Sequence, residues 1–196
     1  GKEAAGTIQM SVNAGATARC QMGLALRTPG LNSLSLVVRK DNNEIFRATA
    51  QRHVAILHDA SYGYRLNDAA PCPLWWCEGT YKVSQARALP AERRPIIELA
   101  AARNEYEPVQ LVLQPKAELR NLRVTVAPLK SDKATLAAEH VRIEHVAYVQ
   151  VTRPTDGAGC RGAWPDPLPP FEQGDTLAAG RNHPLWITVY VPPDQP

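Results

Sequence analysis

The sequence predicts an all-β chain folded as an antiparallel β-sandwich. Three observations carry this. Apolar and polar residues alternate in several short runs, the mark of strands with one face in a core. The chain has 17 prolines in 196 residues, and proline is poorly tolerated inside helices and central strands. Only residues 132–140 and 91–94 have local helical character, and both stretches are short.

The strands follow in order. Residues 7–12 (Thr-Ile-Gln-Met-Ser-Val) alternate weakly. Leu34, Leu36 and Val38 alternate with Ser33, Ser35 and Val37, and Asp41-Asn42-Asn43 supplies a turn into a returning strand over residues 44–50. Residues 54–57 make a further short strand. A second group begins near Trp75, with candidates at 96–101, 109–114, 122–127, 141–151 and 185–191. The composition shift near residue 68 divides the chain into a β-rich segment, 1–68, and a sandwich, 69–196. Strict alternation assigns Leu111, Leu113, Val124, Val126, Ile143, Val149, Ile187 and Val189 to the core.

Residues 152–184 read as one long loop with Pro154, Pro165, Pro167, Pro169, Pro170 and Pro184. A loop this long in a compact domain is functional or pinned by an interface. Its large apolar residues, Trp164, Leu168 and Phe171, with Asp166 held between two prolines, predict a stiff docking surface for another domain rather than a catalytic loop.

Charge excludes some classes. The 22 basic and 19 acidic residues give a net charge of +3, with no basic block beyond Arg93-Arg94, so neither nucleic acid nor a membrane surface is an expected partner. No apolar run is long enough to span a bilayer. The four cysteines, Cys20, Cys72, Cys77 and Cys160, lack the spacing of a zinc site, so no metal is expected. In an extracellular chain they permit disulfides. Cys77–Cys160 is the expected bridge, worth about 4 kcal/mol by chain entropy, with a local Cys72–Cys77 bridge as the alternative and Cys20 as a further candidate.

No catalytic residue is expected. Glu105 and Glu107 share a face if extended, but the run from Ala101 to Pro108 reads as a turn whose polar groups cap local backbone. There is no nucleophile elbow and no phosphate-binding glycine loop, so no cofactor is expected. His145 reads as a satisfied core histidine. Among aromatics, Trp75, Trp164 and Tyr64 are candidate stacking platforms for a sugar, although at least one of Trp75 and Trp76 must face the core.

Longer motifs add a resemblance. Leu74-Trp75-Trp76-Cys77-Glu78-Gly79-Thr80-Tyr81 is followed by Ala102-Arg103-Asn104-Glu105-Tyr106-Glu107-Pro108-Val109. Then come Val151-Thr152-Arg153-Pro154-Thr155-Asp156, Trp164-Pro165-Asp166-Pro167-Leu168 and Ala179-Gly180-Arg181-Asn182-His183-Pro184-Leu185-Trp186. In this order they resemble the N-terminal β-sandwich of glycoside hydrolase family 123, over residues 70–196. The resemblance implies a bacterial protein, secreted or periplasmic. It implies that a TIM-barrel domain C-terminal to the sandwich carries a β-N-acetylgalactosaminidase-like activity through an adjacent Asp-Glu pair, which this sequence lacks. The family sandwich continues with a further hairpin, so the chain is expected to be a segment of a longer protein, truncated within its last strands. Residues 6–12 and 51–55 resemble strands of a laminin-G or concanavalin-like sandwich. Two roles are then open: a non-catalytic accessory sandwich, or a carbohydrate-binding module recruiting glycan through surface aromatics.

Overall fold

The computed structural model describes residues 6–24, 26 and 29–195. The chain is all-β, and every pair of named strands is antiparallel. The strands are β1 (Gly30–Lys40), β2 (Asn43–Val54), β3 (Tyr64–Asn67), β4 (Leu74–Glu78), β5 (Glu105–Leu113), β6 (Leu119–Leu122), β7 (Leu129–Lys130), β8 (Thr135–Leu136), β9 (Val141–His145), β10 (Tyr148–Val151), β11 (Gly162–Pro165), β12 (Asp175–Leu177) and β13 (His183–Val191). Short 3₁₀ turns occupy Ile56–His58 and Ala138–His140.

The organising element is a five-stranded sheet in the order β3-β4-β5-β13-β9. It starts at Tyr64, on the N-terminal side of residue 68. One face is covered and the other is covered over part of its length. On one, Leu113 and Leu185 pack with Leu177 of β12, and Leu74, Leu119, Leu122, Val124, Ile143 and Phe171 close around them. On the other, Trp75, Cys77 and Val112 pack with Tyr62 and Val83, and Tyr81 and Leu89 from the 79–90 segment lie over them. Alternation alone assigns this second face to solvent. It is core because the polar side chains on and beside it are spent on backbone. The Gln110 amide donates to the Tyr81 carbonyl at 2.7 Å, and the Asn182 amide donates to those of Ser84 and Arg87 at 3.0 and 2.7 Å.

The β1–β2 hairpin forms its own two-stranded sheet. Lys40 pairs with Asn43, leaving Asp41 and Asn42 as a two-residue turn with φ of 50° and 66°, values that Asn and Asp tolerate and that match strand twist. Leu34, Leu36, Val38, Phe46, Ala48 and Ala50 share one face by register. Leu36, Val38 and Phe46 remain exposed, so that face is open among the described residues.

Several expected elements differ. Residues 7–12 and 96–101 are irregular and 132–140 is not a helix, carrying instead β8 and a 3₁₀ turn; residues 91–94 are likewise not helical. The run 141–151 is two strands, because the pairing lapses at Val146 and Ala147 and the chain changes partner: β9 pairs β13, whereas β10 pairs β11. After Leu122 the strand stops, and the Gln173 side chain takes a neighbour's place, accepting from Val124 N–H at 3.0 Å and donating to its carbonyl at 2.7 Å. Of the eight residues assigned to the core, Leu113 is fully buried, six are half-buried and Val149 is exposed.

The expected long loop, 152–184, is also largely structured. It contains β11 and β12, and between them it runs along the edge of β9. Ala147 N–H donates to the Pro167 carbonyl and His145 N–H to that of Pro169, both at 2.9 Å, while Phe171 N–H donates to Ile143 at 3.3 Å. Prolines suit this place: they accept from the sheet but lack the N–H that would invite another strand.

Candidate binding site

The residues singled out in the sequence are dispersed. Trp75 is 0% exposed. Its indole N–H donates to Asn182 Oδ1 at 3.1 Å, so it is a core residue and offers no ring to a sugar, which corrects its place among the platforms. Tyr64 is half-buried on β3, with the Arg94 guanidinium 3.8 Å above its ring and the Trp76 ring 4.9 Å away. Trp164 is half-buried on β11 and donates its indole N–H to the Cys160 carbonyl at 2.6 Å. Phe171 packs into the chain's own second cluster, Leu168 is half-buried and Asp166 is exposed. His145 is not enclosed in the core; it lines a shallow cleft, with its Nδ1 3.3 Å from Asp175.

All four cysteines are free thiols, which corrects the expected bridges. Cys77 points into the Trp75 cluster, whereas Cys160 lies 3.6 Å from His58 Nε2. Cys72 precedes β4 and Cys77 lies within it, and extended chain holds residues five apart at about 16 Å, beyond disulfide reach. Burial pushes the Cys77 thiol up to about 12. In the folded protein Cys77 is therefore expected to react with a thiol reagent at least about a hundredfold more slowly than exposed Cys20. Timed alkylation with peptide mapping reads this out, and equal rates would place Cys77 outside the core.

The structure assembles a site that these residues do not mark. Beyond the end of the 79–90 cover, the second face of the sheet is open. Tyr106 of β5 is directly opposite Tyr190 of β13, and residues in register share a face. Their rings stack with centroids 4.3 Å apart and planes 23° apart. Tyr106 is 65% exposed, so its outer face is free. Thr188 pairs with Arg142 on the same face, and the 3₁₀ turn brings in Glu139 and His140, whose ring meets Tyr190 edge-on at 5.9 Å. Together, Tyr106, Glu139, His140, Arg142, Thr188 and Tyr190 line a cleft of about 220 Å³.

The turn before β5 holds this site together. Asn104 adopts a left-handed φ of 61°, which Asn tolerates better than most residues. Its N–H donates to the Val191 carbonyl at 2.7 Å, and its Oδ1 accepts from the Tyr190 hydroxyl at 3.0 Å. Glu105 accepts from Ala102 N–H. Glu105 thus acts on local backbone, as the turn reading expects, whereas Asn104 bonds across to the end of β13. Tyr106 was legible only as the polar-face continuation of the β5 alternation, two residues before Pro108. Glu139 and His140 fell in a stretch that reads as helix.

In sequence, no family model and no curated protein matches this chain. Among solved structures it is similar to a family 123 glycoside hydrolase from Clostridium perfringens, studied for glycolipid glycan hydrolysis. The identity is 11% and the TM-score 0.35, over 49% of this chain and 17% of that one. This chain thus spans about a sixth of that protein's length. A likeness of this size fixes neither site nor activity, and the functional reading rests on the residues.

Proposed function

We propose that this chain is a non-catalytic, glycan-binding accessory β-sandwich of a larger secreted glycoside hydrolase, with a catalytic barrel as its covalent neighbour. The observation that carries the reading is the tyrosine pair. A flat ring whose outer face is free, backed by a second ring and rimmed by Glu139, Arg142 and Thr188, suits a sugar, which has an apolar ring face and a hydroxylated edge. The resemblance of the sequence motifs to the family 123 sandwich supplies the glycan context.

The test is affinity electrophoresis through gels carrying soluble polysaccharides, alongside a glycan array. Tyr106→Ala is expected to weaken binding about tenfold or more, as for other central aromatic anchors. Its unfolding midpoint should change little, because the ring is mostly exposed. Retention unchanged in Tyr106→Ala would remove the cleft from the reading. Hydrolysis of aryl N-acetylhexosaminides by this chain alone would overturn the non-catalytic part.

A further inference from the structure

We infer that the tyrosine cleft selects an uncharged sugar ring and rejects uronates, because its one guanidinium is already committed to a buried carboxylate. This rests on the glycan-binding reading and names the class of sugar.

The volume sets the scale. At about 220 Å³ the cleft lies below the range of drug-sized sites, about 300–1,000 Å³. It has room for about one pyranose, stacked on the outer face of Tyr106.

The charges set the class. Arg142 and Glu144 are two apart on β9 and share the face of Thr188 and Trp186. The Arg142 guanidinium lies 3.2 Å from Glu144 Oε2. The two ends of this pair differ: the arginine side chain is 70% exposed and the glutamate 12%. Glu144 Oε2 is shielded from solvent and has no aligned hydrogen bond, so Arg142 is its counter-charge. A sugar carboxylate competing for Arg142 would leave a buried carboxylate uncompensated, and unpaired buried charge is strongly disfavoured. Glu139 adds an exposed carboxylate with no ion-pair partner among those described. The cleft lining carries one carboxylate, Glu139, and one guanidinium, Arg142, with the Glu144 carboxylate beside that guanidinium just outside the lining. Arg142 retains N–H groups that can donate to neutral hydroxyls, and Glu139 can accept from them. Those are the bonds a neutral ring uses, and a uronate meets net repulsion.

The experiment uses saturation-transfer NMR and calorimetry on the chain as it stands. The probes are methyl glycosides of glucose, galactose, mannose and their N-acetylamino forms, each beside its uronate where one exists. At low salt, the neutral sugar that binds best is expected to bind at least about fivefold tighter than its uronate. Glu139→Gln, a surface change, should narrow that ratio by raising uronate affinity. Glu144→Gln, which releases Arg142, should narrow it further. A uronate that binds as tightly as its neutral parent, or a ratio unmoved in both variants, overturns this inference and leaves glycan binding standing. Silence from every sugar overturns the glycan reading, and this inference with it.

Discussion

Trp75→Ala is expected to cost about 3–5 kcal/mol, the range for deleting a fully buried large aromatic. Domains of this kind have a total stability of about 5–15 kcal/mol, so the variant gives up between about a fifth and all of it. The ring is the centre of the first cluster. Tyr62 lies 6.4 Å from it, and the Arg87 guanidinium is 4.6 Å from its centroid. A Cβ added at Gly63, whose φ is 85°, would stand 2.9 Å from Trp75 Cζ3. Trp75→Phe keeps most of the ring and loses the indole N–H, so its cost should be less than half as large. Urea unfolding followed by far-UV circular dichroism measures both variants. A solvent-facing sugar platform at Trp75 predicts the opposite result, lost glycan binding with an unmoved midpoint.

Trp75 also shows which parts of the fold were legible. Alternation in β5 and β13 identified the central sheet, because strands with one strongly apolar face repeat every two residues. It failed on the opposite face. Gln110, Thr188 and Asn182 look like solvent-facing positions, yet all three are buried. Gln110 and Asn182 are tolerated there because their amides donate to backbone carbonyls of the covering segment, whereas Thr188 lies beyond it in the cleft lining. Pattern reading has no access to such a long-range exchange. It also cannot separate one strand from two that share a rhythm, which is why residues 141–151 read as continuous. At 96–101 the apolar pattern has no neighbouring strand to pair with, and Ile96 and Leu99 remain exposed. The binding cleft was hidden for the same reason as the second core. It lies where the cover over that face ends, and the end of a cover is a tertiary fact. The residues Glu105-Tyr106-Glu107-Pro108 carried only the information that a turn gives way to a strand.

Asn182→Ala is expected to destabilise the fold by about 3–4 kcal/mol without touching the apolar core directly. The side chain is 0% exposed and makes three hydrogen bonds. Its Oδ1 accepts from Trp75 Nε1, and its Nδ2 donates to the carbonyls of Ser84 and Arg87. Each such bond contributes about 1 kcal/mol net, and where a buried partner is left unpaired the loss is instead about 1–3 kcal/mol. The losses are not equal. The Arg87 carbonyl still accepts from Gln114 Nε2 at 3.0 Å, whereas the Trp75 N–H loses the only acceptor described for it. Asn182 is therefore the clasp that joins β4, the start of β13 and the 84–87 turn. Its removal should act first on the cover. Native-state hydrogen exchange should show residues 79–90 opening at lower free energy than the central strands, which remain protected. In a double-mutant cycle, Trp75→Phe and Asn182→Ala should couple by at least about 0.5 kcal/mol, because each removes one half of the same bond. Strict additivity would mean that the indole N–H finds no partner in Asn182, and the clasp would then have to be sought elsewhere.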